Sequence, residues 1–368
     1  MRLAPVVVML MIGAALPALA QTPASTRSRR SLPVTSIPAA PASTAVPATP
    51  AATPAVAMPQ AAASSSAATA VAITIPDAIT APQRTLIHAE VLLDRAHFSP
   101  GVIDGEDGSN LKLAVSAYQA ANGLPVDGAV SDALITKLTA TDTANSVTRY
   151  TITLADVAGP FVAKLPSDFA ALAKLESPAY SGPVEELAER FHMDEGLLKA
   201  LNPAADFGKP GTVITVAAIN DEKLAATVAR IEVDKTRQAV RAYDDTGKLL
   251  ASYPATVGST ERPAPAGTWA VRAVAPKPDY TFDPKRLTFG KPGMGKLTIK
   301  PGPNNPVGST WIALTKATYG IHGTPDPRLI GKRASHGCVR LTNWDAHQLG
   351  ASVKAGAKVV FMGVETRG

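Results

Sequence analysis

The 368-residue chain contains a single cysteine, Cys338. One thiol can build neither an internal disulfide framework nor a cysteine-rich zinc site, so apolar cores must stabilise the folded parts. Aromatic residues are scarce at 5%. All three tryptophans, Trp269, Trp311 and Trp344, fall in the last third, which places the best-packed domain toward the C-terminus. A large charge excess of either sign is also missing. The 36 Lys+Arg against 30 Asp+Glu leave a formal net charge of +6 with no clustered basic stripe, so no nucleic-acid partner is expected. Beyond the first 20 residues no apolar run reaches the roughly 20 residues a spanning helix needs. At roughly 100–200 residues per domain, the length allows two or three domains.

What is present changes character along the chain. Arg2, the apolar stretch Val6 to Leu16, Pro17 and the small-residue exit Ala18-Leu19-Ala20 have the layout of a secretory signal peptide cleaved after Ala20. The protein is therefore expected to be exported. No cysteine follows the apolar run, so attachment through a lipidated cysteine is not expected. Residues 21–76 are nearly all Ala, Pro, Ser, Thr and Val, the composition of a disordered linker.

Residues 80–140 turn helical in period. Leu86, Ile87, Glu90, Val91, Asp94 and Arg95 separate apolar from charged faces, Leu111, Ala114, Val115, Tyr118 and Ala121 repeat the spacing, and Leu134, Ile135 and Leu138 mark a third helix. Asp104-Gly105 and Asp127-Gly128 supply the turns. Residues 148–218 read as strand, helix, helix, strand: Tyr150 to Thr153, Val184 to Phe191, Asp194 to Asn202 and Thr212 to Val216. From Val228 the period becomes two. Short strands with turns near Lys235 and at Asp245-Thr246-Gly247, then Thr268 to Ala273, Leu297 to Lys300, Trp311 to Leu314 and Lys358 to Met362, predict a mostly-β sandwich over 228–363. One helix is expected near the end, with Thr342 as N-cap, Asp345 completing a capping box and Gly356 as its stop.

The candidate chemistry lies between these elements. Cys338 is flanked by His336-Gly337 and follows His322-Gly323 within 16 residues. A thiol becomes a strong nucleophile as thiolate, and a neighbouring imidazole can stabilise that form as an ion pair and then protonate a leaving amine. The adjacent glycines would let backbone N–H groups approach a developing oxyanion. Arg340, two residues on, would share the cysteine's side of a strand and could hold a carboxylate through two parallel hydrogen bonds. His88, His97, His192 and His347 lack such company and read as structural. With no carboxylate or second thiol to complete it, no metal site is expected from His322, His336 and Cys338.

The His322-Gly323 pair followed by Ser335-His336-Gly337-Cys338, together with Pro301 to Gly308 and Tyr319-Gly320-Ile321-His322, resembles the catalytic domain of the L,D-transpeptidases, the YkuD family. The helical stretch is similar to a three-helix peptidoglycan-binding domain. The strand–helix–helix–strand stretch looks like a LysM module, from which it departs by an insertion at residues 160–182. This resemblance implies a mostly-β sandwich preceded by a three-helix domain and a degenerate βααβ module. It implies Cys338 as nucleophile, His322 as acid/base oriented through the Gly323 carbonyl, and Ser335, His336 and Gly337 as shapers of the oxyanion site. Arg340 would support substrate or loop, and Asn305 and Tyr319 would line the approach. Implied partners are peptidoglycan stem peptides and glycan strands, with carbapenem-type β-lactams as acylating inhibitors and no cofactor. The acceptor stays open between a second stem amine, water and a lipoprotein lysine. The competing class is a non-catalytic wall-binding protein, against which the intact cysteine and histidine set argues.

Overall fold

The computed structural model describes residues 73, 75–220, 223–258, 263–284, 295–332 and 337–364. The expected signal peptide, nearly all of the expected linker, and Ser335 and His336 lie outside the described residues.

The first helix, α1 (Ala81–Arg95), starts where Thr80 and Gln83 cap each other reciprocally. It packs with α2 (Ser109–Ala121) and α3 (Asp132–Thr139) around Leu92, Leu93, Leu111, Val115, Leu134 and Leu138. The periodicity places these helices correctly but misjudges one face. Glu90 and Asp94, expected on a polar side, are 0% and 7% exposed. That face of α1 is covered too: the Gly105 N–H donates to Glu90 at 2.9 Å, and the His192 ring of the neighbouring module lies 3.2 Å from the Asp94 carboxylate. Ile73 and Ile75 also pack against the module's core, so the linker ends before them and not at residue 76.

The second unit runs through β1 (Val147–Thr151), α4 (Leu154–Ala158), α5 (Phe169–Leu172), α6 (Pro183–Arg190), α7 (Glu195–Leu201) and β2 (Val213–Ala217). β1 and β2 pair antiparallel from Val147↔Ala217 to Thr151↔Val213 and, with the two longer helices, enclose Leu187, Leu198, Ile214 and Val216. The expected strand–helix–helix–strand frame is present with two added short helices, α4 directly after β1 and α5 within the insertion at 160–182.

Next come β3 (Val228–Asp234), β4 (Ala239–Tyr243), β5 (Leu249–Pro254), β6 (Thr256–Val257), β7 (Gly267–Pro276), β8 (Tyr280–Phe282), β9 (Leu297–Ile299), β10 (Thr310–Leu314), β11 (Gly320–His322), β12 (Val339–Arg340), α8 (Asn343–Ser352) and β13 (Val353–Met362). Nine of these strands form one mixed sheet in the order β5-β4-β3-β13-β7-β10-β11-β12-β6. The long β7 serves both halves, pairing with β13 through Gly267 to Ala270 and with β10 through Val271 to Pro276. Ile231, Val240 and Val359 from one half and Ile312, Ile321 and Val339 from the other share one buried cluster, so the halves close face to face as a sandwich. β8 and β9 form a separate two-stranded hairpin.

The terminal helix differs from expectation at both ends. Thr342 does cap it, accepting from the Asp345 N–H at 3.1 Å, but the Asp345 carboxylate turns to the Ser99 hydroxyl at 3.0 Å and no capping box forms. The helix stops at Ser352; Gly356, at φ +93°, lies within β13 where the register slips between Val353 and Lys358. Tertiary partners outcompete the local signals at both places. The helical domain also covers the β5 edge. Ser99 N–H donates to Ser252 O and Ser252 N–H to His97 O, both at 2.9 Å, which closes an otherwise open strand.

Candidate active site

β11 and β12 are neighbouring parallel strands with Ile321↔Val339 and His322↔Arg340 in register. Side chains alternate along a strand, so the wholly buried Ile321 and Val339 face the core and leave His322 and Arg340 together on the opposite face. Cys338, two residues before Arg340, joins that face. The pair of short strands thus gathers three candidate residues that are up to 18 positions apart in sequence.

His322 is 4% exposed, and its Nδ1 lies 2.7 Å from the Gly323 carbonyl oxygen. A carbonyl only accepts, so Nδ1 carries the proton and Nε2 of the neutral ring presents a lone pair. Burial first, and then the Arg340 charge, push the imidazole down to about 3. Trp311, its register partner on β10, stacks on it with centroids 5.3 Å apart and planes at 23°. Gly320 makes that possible, since a Cβ there would sit 2.5 Å from Trp311 Cζ2.

Cys338 is partly exposed, and its thiol lies 3.9 Å from the Thr318 carbonyl. Thr318 adopts φ +72°, uncommon for a β-branched residue, in the turn between β10 and β11. Burial pushes the Cys338 thiol up, while the Gly320 N–H and the Arg340 charge pull it back in part. The sequence suggested a thiolate–imidazolium pair. Burial instead favours the neutral form of both groups, and the Arg340 charge opposes a second positive charge on the imidazole.

The two glycines have different surroundings. A Cβ on Gly323 would stand 2.2 Å from Asn343 Oδ1, so a glycine is needed for close packing against the start of α8, and its N–H already donates to Thr310 O at 3.2 Å. Gly337, at φ +106°, lies over Tyr319, whose Cε1 would be 3.2 Å from an added Cβ. Tyr319 therefore does flank the cysteine. Asn305 does not line the approach: it is 0% exposed, its Nδ2 donates to Lys300 O at 2.9 Å and its Oδ1 accepts from Val307 N–H at 3.0 Å. All of its polar capacity goes to shaping the loop before β10.

Sequence reasoning missed two residues. Asn343 accepts from Ser309 N–H at 3.0 Å and donates to Glu189 Oε2 on α6 at 2.9 Å, tying the site's loops to the module. Its position at the first turn of α8, beside the Gly323 backbone, was the available signal. Tyr280 on the separate hairpin feels both Cys338 and Arg340; burial and the cysteine push its phenol up to about 12. No local pattern marks it. Among the described residues no cluster of metal-binding side chains occurs.

Residues 228–361 match the family described as "L,D-transpeptidase catalytic domain" (YkuD), and residues 85–138 match "Putative peptidoglycan binding domain". "Putative L,D-transpeptidase YkuD" of Bacillus licheniformis is 28% identical over 48% of this chain and 91% of its own length. "Probable L,D-transpeptidase YbiS" of Escherichia coli K12 is 28% identical over 49% of this chain, which spans 60% of that relative. The solved L,D-transpeptidase from Mycobacterium smegmatis aligns over 42% of this chain and 74% of that one at 20% identity and a TM-score of 0.30. The sheet topology above, and not that alignment, establishes the fold.

Proposed function

We propose that this protein is an exported, wall-associated cysteine transferase acting on peptidoglycan stem peptides. Cys338 Sγ attacks the carbonyl carbon of the third residue of a donor tetrapeptide. His322 Nε2 takes the thiol proton and passes it to the nitrogen of the terminal D-alanine as the carbonyl–nitrogen bond breaks. An amine of a second stem then attacks the thioester, the carbon–sulfur bond breaks, the thiol is restored and a 3→3 cross-link results. The register of β11 and β12 carries this reading: it sets the histidine, with Nδ1 already committed to Gly323 O, on the same face as the only thiol. Arg340, on that face, is the group suited to a substrate carboxylate. Gly337, with Ser335 and His336, would shape the oxyanion site. The helical domain would hold the enzyme to peptidoglycan, and a carbapenem-type β-lactam would acylate Cys338 as a donor mimic.

Mass spectrometry of products from a purified disaccharide-tetrapeptide tests the proposal. Cys338→Ala should abolish D-alanine release while leaving sedimentation with wall sacculi intact. Undiminished turnover by that variant would sink the mechanism. Dimers, tripeptides or lipoprotein adducts among the products identify an amine, water or a protein lysine as acceptor.

A further inference from the structure

The β8–β9 hairpin bears Tyr280, which feels the charges of Cys338 and Arg340, yet among the described residues no strand of the nine-stranded sheet pairs with it. An isolated two-stranded hairpin is marginally stable in water, so something else must hold this one. The support comes from the module's insertion. Tyr280 and Phe282 lie on one face of the hairpin with Ile299, and Phe169 of α5 covers that face. The Phe169 ring stacks on Phe282 at 5.2 Å and 20° and lies 5.8 Å from the Tyr280 ring. Phe282 and Ile299 are both 0% exposed as a result.

The backbone joins in just past β9. Ser177 Oγ donates to Pro301 O at 2.9 Å, Asn304 N–H donates to Pro178 O at 2.9 Å, and Asn304 Nδ2 donates to Ala179 O at 3.0 Å. A Cβ on Gly302 would come within 2.6 Å of Pro178 O, so the two backbones are in direct contact. From the other side Asn305 holds Lys300 O. The exposed Lys300–Glu176 pair at 2.7 Å adds little.

We propose that the insertion at residues 160–182 is a positioning element of the active site, a clamp that fixes the β8–β9 hairpin and so sets Tyr280 as a wall of the donor-peptide site beside Cys338. The segment by which the module departs from a LysM pattern is then the part that serves catalysis. The proposal rests on the transferase reading for its substrate, but not for its geometry. Phe169 is a positioning residue, acting through Tyr280.

The test uses the full chain carrying Phe169→Ala or Phe169→Leu. Displacement of a substrate wall should raise KM for the disaccharide-tetrapeptide by about tenfold with kcat changed by less than about threefold. Alkylation of Cys338 by iodoacetamide, which needs no wall, should stay within about twofold of wild type. Phe169→Leu, which keeps apolar bulk, should recover most of the KM. Amide hydrogen exchange over 280–282 and 297–299 should quicken in Phe169→Ala. A loss confined to kcat, or an unchanged KM, would overturn the positioning role. If wild type releases no D-alanine the transferase reading fails by itself, and the exchange rates alone then decide the clamp: quickening supports it and protection equal to wild type overturns it.

Discussion

Glu189 on α6 offers a quantitative test of the joint between module and catalytic domain. Its carboxyl is 8% exposed and bonded to Asn343 Nδ2, and burial raises it from an ordinary 4.5 to about 8, with the Glu185 charge adding to the rise. In the unfolded chain the group loses its proton near 4.5, whereas the folded protein keeps it until about pH 8. The unfolded state therefore binds fewer protons across that window, and stability falls as pH rises through it. At 1.36 kcal/mol per pH unit the full effect is about 5 kcal/mol, and relaxation and water entry at the joint reduce it to about 2–3 kcal/mol. Glu189→Gln keeps the shape and the acceptor for Asn343 while removing the ionisation. Scanning calorimetry at pH 5 and pH 9 should show the two proteins close at the lower pH and the variant melting about 4–6 °C higher at the upper, using about 2 °C per kcal/mol for a body of this size. Asp345, raised to about 7 chiefly by burial and then by Asp94, adds a slope of the same sign that both proteins share. A gap between variant and wild type that stays constant from pH 5 to pH 9 would refute the reasoning.

Three further outcomes follow from the site. Gly323→Ala drives a Cβ into Asn343 Oδ1; unfolding free energy should fall by about 1–3 kcal/mol, and displacement of the carbonyl that orients His322 should cut D-alanine release by about a hundredfold, with unchanged turnover counting against the assignment. Arg340→Gln removes the cation that, after burial, holds the imidazole down to about 3, so NMR titration of the His322 ring should move to higher pH, and an unmoved titration would exclude that charge coupling. Iodoacetamide alkylation of the free enzyme should climb with pH to a midpoint above the ordinary thiol value of 9.0, and a rate already level between pH 6 and pH 8 would reveal a preformed thiolate.

The elements legible in the sequence are those whose signals are local. Alternation located β3, β4, β5, β7 and β10, Thr342 marked the start of α8, and His322 and Cys338, singled out by their neighbouring glycines, come to one face of the adjoining β11 and β12. What was not legible depends on partners far away in the chain. Asp345 resembles a capping-box residue until Ser99, 246 positions earlier, is seen to take its carboxylate. Glu90 and Asp94 look solvated on an isolated helix, but both are buried, Glu90 taking the Gly105 N–H of the loop after α1 and Asp94 facing the His192 ring of the neighbouring module. Asn305 looks like an approach residue, but its loop needs an internal hydrogen-bond hub, and a short amide side chain with two donors and an acceptor is what fills it. Tyr280 has no sequence signature at all, since its place by the cysteine is set by a hairpin held from another module.

The charge states of Cys338 and His322 have a consequence for how the reaction starts. Burial holds the thiol above its ordinary value and the imidazole well below its own, so passing the proton from one to the other is uphill before the mutual attraction of the two charges is counted. On the proposed reading, attack by the thiol would then accompany proton transfer instead of following it. A donor carboxylate placed at Arg340 would offset the cation that suppresses imidazole protonation, so substrate binding itself would lower that cost. The same arrangement protects the thiol, because oxidation and alkylation both proceed through the thiolate. On the proposed reading, an exported enzyme with no second cysteine to shield its nucleophile keeps it protonated until the donor peptide arrives, and Arg340 is the residue through which binding and activation are joined.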